Sequence, residues 1–234
     1  MAPKRSTKNV KLTTMYNCLI TGAFSDLKIT CGEKTWNAHR VVVCPKSSFF
    51  RAACAGNFKE ATTEVINLED DNPLMVRFMM DYLYTDDYDL DQILPAGSPS
   101  ELSIHIQMYC LGDKYDIEGL RHVSACKYRD SLEGQEATFE EYLASIPKVY
   151  LPPVSKDLQK AAIDHARLKL GKSNCSDESR SMLKRVMQGI PEFGSDLIDA
   201  VLAAPVPRMC EDCRDDDMHV ERLAICHVCG VIIE

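Results

Sequence analysis

The stretch that decides the fold runs from Ser25-Asp26-Leu27-Lys28-Ile29-Thr30-Cys31-Gly32-Glu33 through Asn37-Ala38-His39-Arg40 to Tyr82-Leu83-Tyr84. Leu27, Ile29 and Cys31 alternate with Asp26, Lys28 and Thr30, the period of a half-buried strand. Gly32-Glu33 is a two-residue break, and glycine first suits a type II′ turn. Lys34–Ala38 then returns as the second strand of a hairpin. His39–Cys44 and Pro45–Ala55 read as two short helices, with Pro45 starting the second and Gly56 closing it. Val65–Leu68 is a third short strand. Asn72-Pro73 opens a helix, an N-cap followed by a proline whose missing N–H costs nothing there. Leu74, Met75, Phe78, Met79, Tyr82 and Leu83 form its buried stripe.

Ser98-Pro99-Ser100-Glu101 opens another helix, with Ser98 and Glu101 at capping-box spacing. Leu102, Ile106, Tyr109 and Cys110 make its apolar face, and Gly112 loosens its end. Ile117, Leu120, Val123 and Tyr128 belong to the next helix. The order is strand–strand–helix–helix–strand–helix–helix–helix: an α+β fold in which a helical cluster is capped by a short three-stranded sheet.

On these residues the chain resembles the BTB/POZ family. The resemblance is carried by Ser25-Asp26-Leu27, Ala38-His39-Arg40, Ser48-x-Phe50, Phe58-Lys59-Glu60, Ile66-x-Leu68, Tyr82-Leu83-Tyr84, Gly112-Asp113-Lys114-Tyr115 and Leu120. Its layout is similar to that of the BTB chains of filamentous fungi. The implied division is a basic, disordered tail over 1–15, a BTB/POZ domain over 16–132, a helical extension over 133–205 and a cysteine-bearing tail over 206–234.

The resemblance implies a protein–protein interaction module that homodimerises, recruits partners, or serves as a substrate adaptor bound to a cullin in a ubiquitin ligase. It places Asp26, His39 and Arg40 at a partner-binding groove near the dimer interface. Read from the residues alone, Asp26 and Arg40 make a surface ion pair or a fold-stabilising bond, and His39 caps the helix after the hairpin. Cullin-binding members often carry an apolar-x-Glu triplet after the equivalent of the 72–84 helix. Here that acidic segment is 86–95, its nearest match is Leu90-x-Gln92, and glutamine lacks the charge. The segment is expected to be a solvated insert.

The far end holds the second signal. Cys210-x2-Cys213 and Cys226-x2-Cys229 are two knuckles that supply four soft thiolates in the number and spacing that suit tetrahedral zinc. Such a closed site leaves no position for water, so the expected Zn2+ is structural, in a small zinc-ribbon-like CxxC/CxxC hook. Unmetallated thiols or a redox pair are the alternatives, and a thioredoxin-like pair would need a surrounding βαβ pattern that is not seen. Glu211, Asp212, Asp215, Asp216 and Asp217 surround the site, which argues against a phosphate backbone as partner. The hook either pins the tail onto the helical region or presents a second contact surface.

Between the ends, Thr138 and Glu141 have capping-box spacing ahead of Tyr142, Leu143 and Ile146, and Pro147 with Pro152-Pro153 interrupt. Ser155 caps a helix through Leu170, closed by Gly171. Ser173–Ser181 is a polar break before Met182, Leu183, Val186 and Met187. Pro191 opens a last helix whose apolar positions are Leu197, Ile198, Val201 and Leu202.

The chain has 234 residues, 11 cysteines and a formal net charge of −8, so no global field attracts nucleic acid. Lys4, Arg5, Lys8 and Lys11 make the amino terminus locally basic, but it lacks the apolar run of a signal or anchor. No segment reaches the ~18 apolar residues of a membrane helix. The expected location is therefore intracellular, in cytoplasm or nucleus, where a disulfide framework is not expected. The seven scattered cysteines mostly fall on predicted apolar faces. Phosphate-binding Gly-x4-Gly-Lys, Gly-x-Ser-x-Gly and His-Glu-x2-His motifs are absent, and the expectation is a non-enzymatic chain.

Overall fold

A computed structural model describes residues 14–55, 59–90, 94, 97–134, 137–151, 155–171 and 177–203. The expectations for the basic tail, Gly56 and the four carboxyl-terminal cysteines lie outside these residues. The described residues form two compact units. One comprises residues up to Pro99 with Gln107–Ser124; the other comprises Ser100–Ile106 with residues from Ala125 on.

The first unit is built on the hairpin. β1 (Leu27–Cys31) pairs antiparallel with β2 (Lys34–Ala38), with Leu27 opposite Ala38 and Cys31 opposite Lys34. The alternation holds: Leu27, Ile29 and Cys31 are buried and Lys28 is exposed. Gly32 takes a φ of +53° at the turn, the left-handed value its place requires. β3 (Val65–Asn67) joins the other edge of β1 in parallel, giving the order β2-β1-β3. That parallel return needs a crossover, supplied by α2 (Arg40–Lys46), α3 (Ser48–Ala55) and α4 (Lys59–Thr63).

Pro45 does not start α3. It sits in the last turn of α2, where the helix ends one residue later and only one backbone bond is forfeited. The start signal for α3 is Ser47, whose Oγ accepts from Phe50 N at 3.1 Å and donates to Tyr115 O at 2.6 Å. Two helices were not foreseen: α1 (Thr14–Thr21), which buries only Leu19, and α4, which buries nothing. Neither carries a readable apolar stripe.

α5 (Pro73–Thr85) begins as expected, with Asn72 Oδ1 accepting from Leu74 N at 2.8 Å. It is buried almost all round, with Val76, Met80 and Tyr84 as enclosed as Phe78 and Leu83, while Leu74 is only half-buried. α6 (Glu101–Lys114) and α7 (Glu118–Glu133) each contribute residues to both units. At the start of α6, Ser100 Oγ accepts from Ser103 N at 3.4 Å. On α6, Tyr109 and Cys110 are half-buried, whereas Ile104 and Met108 are enclosed. Gly112 does not loosen α6. A side chain there would meet Arg121 N at 3.1 Å and Ile117 O at 3.3 Å, so the glycine permits the tight turn into α7. Of the six cysteines in the described residues, only Cys31 is fully buried.

The second unit adds α8 (Phe139–Val149), α9 (Lys156–Gly171), α10 (Asp177–Gly189) and α11 (Pro191–Ala203). The Thr138–Glu141 capping box is complete in both directions. Pro147 does not interrupt; α8 carries it in its last turn. Ser155 caps α9 by accepting from Leu158 N at 3.2 Å. α10 starts at Asp177, ahead of the expected Met182, with two acidic residues in its first turn that favour the helix dipole. Tyr142 fills the core and donates to Ala162 O at 2.8 Å, and Tyr128 pairs with Ser145 at 2.8 Å. α11 buries Phe193, Gly194 and Leu197, while Ile198 and Leu202, expected on its apolar face, are exposed. Among the described residues, no helix is long and apolar enough to cross a membrane.

Candidate protein-interaction surface

Asp26, His39 and Arg40 are brought together by the hairpin register, since Asp26 precedes β1 and His39-Arg40 follows β2. Asp26 Oδ1 accepts from the backbone N of Arg40 at 2.8 Å, and Arg40 Nε donates to the carbonyl of Asp26 at 3.1 Å. The two side chains therefore each grip the other's backbone. The carboxylate satisfies an open N–H at the start of α2, a capping role played from 14 residues away. The ion-pair partner of the guanidinium is Glu64, 3.5 Å from Arg40 Nη2. Both charges are solvated, so the pair adds little stability.

His39 occupies the N-cap position of α2 but makes no side-chain cap. Its ring is 4% exposed and turned inward instead. Nε2 lies 2.8 Å from Ala23 O, and Nδ1 lies 2.7 Å from Tyr84 Oη. The backbone N of His39 donates to the same Tyr84 oxygen at 2.9 Å. A carbonyl only accepts, so Nε2 carries the hydrogen. In a neutral ring Nδ1 then accepts the Tyr84 hydroxyl hydrogen, and the phenolic oxygen accepts the backbone N–H. Both ring nitrogens and the backbone N–H are thereby paired, the Tyr84 oxygen serving two of the three. Burial, the largest influence, pushes the Tyr84 hydroxyl up to about 12.

That cluster bolts the turn carrying Ala23 to the start of α2. The turn holds Phe24 at a φ of +62° and 90% exposed. Ile20 at the end of α1 is 68% exposed, and Val41 beside Arg40 is 74% exposed. Large apolar side chains are thus held out to solvent beside Asp26, Arg40 and Glu64. Nearby, Cys54 hydrogen-bonds Cys44, and its thiol is pushed up to about 11, first by burial and then by Cys44. A protonated thiol is a poor nucleophile.

The acidic segment after α5 is not wholly solvated. Tyr88 is buried, its ring 6.0 Å from that of Phe78. Leu90 is half-buried, and Gln92 lies outside the described residues. Cys210, Cys213, Cys226 and Cys229 also lie outside them. Among the described residues, no group of three or more His, Cys, Asp or Glu side chains is placed to hold a metal. Sequence reasoning missed Glu64 and Phe24 on this surface and Tyr84 buried beneath it. Only Phe24 carried a local signal, a large aromatic between Gly22 and the first strand.

A model of the BTB/POZ domain matches residues 15–131. The chain is 35% identical over 71 residues to kelch repeat and BTB domain-containing protein 4 of Macaca fascicularis, covering 30% of this chain and 13% of that protein. It is 32% identical over 76 residues to BTB/POZ domain-containing protein 1 of Schizosaccharomyces pombe, covering 27% of this chain and 6% of that protein. It is 26% identical over 98 residues to BTB/POZ and MATH domain-containing protein 3 of Arabidopsis thaliana, covering 41% of this chain and 24% of that protein. The chain thus matches only a small part of each relative's length.

Proposed function

The chain belongs to the BTB/POZ domain family, and on that premise we propose that it dimerises or recruits protein partners through the surface framed by His39. A protein-interaction module is what the family and the relatives support. The observation that carries the finer reading is Phe24, exposed on a turn locked by the His39–Tyr84 cluster. Pre-ordering of such an anchor lowers the entropic cost of docking. This reading makes the chain a non-enzymatic scaffold of the cell interior, in cytoplasm or nucleus, of the kind found in filamentous fungi. Light scattering on the full chain tests it. A mass of twice the 26.3 kDa chain is expected, falling to one chain in Phe24→Asp/Val41→Asp with helix content unchanged. A wild-type monomer would remove the dimer, and wild-type binding in the variant would remove the surface.

The second reading is a substrate adaptor of a cullin-type ubiquitin ligase. The helical extension α8–α11 favours it, because an adaptor needs a second folded unit for its substrate. The missing apolar-x-Glu triplet weighs against it. Native mass spectrometry with a cullin amino-terminal domain decides, a mixed complex supporting the adaptor and its absence at micromolar concentration removing it.

We also propose that Cys210, Cys213, Cys226 and Cys229 hold a structural Zn2+. Four thiolates match the donor chemistry zinc takes in closed sites. The same spectrum reads it: one zinc per chain, lost in Cys213→Ser, is expected, and metal-free chains would remove the proposal.

A further inference from the structure

On α11, Gly194, Ile198 and Leu202 stand four residues apart and form one ridge. The ridge is covered at its first position, where Gly194 lies against Met187 of α10; a Cβ there would sit 3.6 Å from that side chain. Its other two positions are bare, with Ile198 54% and Leu202 78% exposed. Lys184 stands one turn before Met187 on α10, and both it and Arg185 are exposed. The second unit therefore presents an apolar ridge on one helix and a basic edge on the helix packed beside it.

Residues 204–234 follow directly from the end of that ridge, and they carry the complementary chemistry. Glu211, Asp212, Asp215, Asp216 and Asp217 come first, and the apolar run Val231-Ile232-Ile233 comes later. The eight steps from Ala203 to Glu211 reach up to about 27 Å when extended, more than the roughly 20 Å length of α10. The acidic cluster can therefore reach any part of the basic edge without displacing α11.

We propose that the Ile198–Leu202 ridge and the adjoining Lys184–Arg185 edge are the docking site of this chain's own 204–234 segment. The apolar run covers the ridge, and the acidic cluster meets the basic edge. Docking is intramolecular, so it benefits from a high effective concentration that a separate partner lacks. It does not rest on what the BTB domain binds.

The test is zero-length carbodiimide cross-linking of the full chain, in an equal mixture of unlabelled and 15N-labelled protein, read by peptide mass spectrometry. The expected product joins Lys184 to the acidic 211–217 stretch within one isotopic chain. Its yield should fall about tenfold in Ile198→Asp/Leu202→Asp, where two apolar contacts are lost. Both side chains are more than half exposed, so the variant should retain the wild-type melting profile. Products that join labelled to unlabelled chains would identify a second copy as the occupant and overturn the proposal. So would the absence of a Lys184 cross-link, or an unchanged yield in the double variant.

Discussion

The hydroxyl of Tyr82 on α5 occupies the place where a side chain on Gly119 of α7 would begin. A Cβ built at Gly119 falls closer to that oxygen than any real carbon–oxygen contact allows, and Tyr82 is buried. Gly119→Ala should therefore destabilise the first unit by about 1–3 kcal/mol, the usual cost of overpacking, even though alanine is the better helix former. Removing the oxygen should restore much of the loss. Chemical denaturation of Gly119→Ala, Tyr82→Phe and the double variant measures the coupling, and additive effects would refute the steric account.

Tyr84 serves His39 twice, once through the backbone N–H and once through Nδ1. Tyr84→Phe keeps the ring and leaves both groups buried without that partner. A cost of about 2–4 kcal/mol is expected, from one to two desolvated polar groups. The loss should also free the Ala23–Phe24 turn, since His39 Nε2 is its tether. Hydrogen exchange is the measurement: amides near residues 22–26 should exchange faster in Tyr84→Phe at a denaturant-free pH where the rest of the unit stays protected.

The elements that could be read from the sequence are those with local signals. The 27–38 hairpin has its alternation and its glycine. α5, α8 and α9 have caps within three residues of their first turn, and Asn72, Thr138 and Ser155 make those bonds. α1 and α4 lack such signals, because they bury one residue or none. Pro45 and Pro147 looked like breaks because proline is costly mid-helix, yet in a last turn it forfeits only one bond. The grouping of Asp26, His39 and Arg40 was legible because hairpin register brings their positions together. Their roles were not, since Tyr84 lies 45 residues beyond His39, and nothing local says that His39 turns inward while Asp26 takes the cap.

Lys46 closes the other end of α5. Its Nζ lies 2.8 Å from Leu83 O and 2.6 Å from Asp86 Oδ1, at the helix terminus where carbonyls lack partners and the dipole favours a cation. Asp86 itself sits at a φ of +61°, a conformation asparagine and aspartate tolerate better than most. Lys46→Met removes the charge and with it the ammonium that lies 5.7 Å from the centroid of the Tyr82 ring. It should cost about 0.5–2 kcal/mol, with the loss shrinking for the exposed Asp86 contact as salt rises. Urea midpoints of the variant at low and high salt check this; an unchanged midpoint would show that water replaces the ammonium at no cost.

His105 gives the second unit a dependence on pH. Its ring is 2% exposed inside α6, and burial holds its pKa below the ordinary 6.5. Glu101 at 3.6 Å and Asp130 pull it up, Lys127 pushes it down further, and burial prevails. The folded chain thus resists a proton that the unfolded chain accepts. The stability tied to the neutral ring is present in full above pH 6.5 and declines as pH falls from there toward the lower folded value. One proton sets a limiting slope of about 1.4 kcal/mol per pH unit. The check is a comparison of denaturation midpoints at pH 7.5 and pH 5.5 for wild type and His105→Gln. The wild-type loss should exceed the variant's, because the other histidines contribute equally to both. Equal losses would mean that the His105 ring takes up its proton in the folded chain as readily as in the unfolded one.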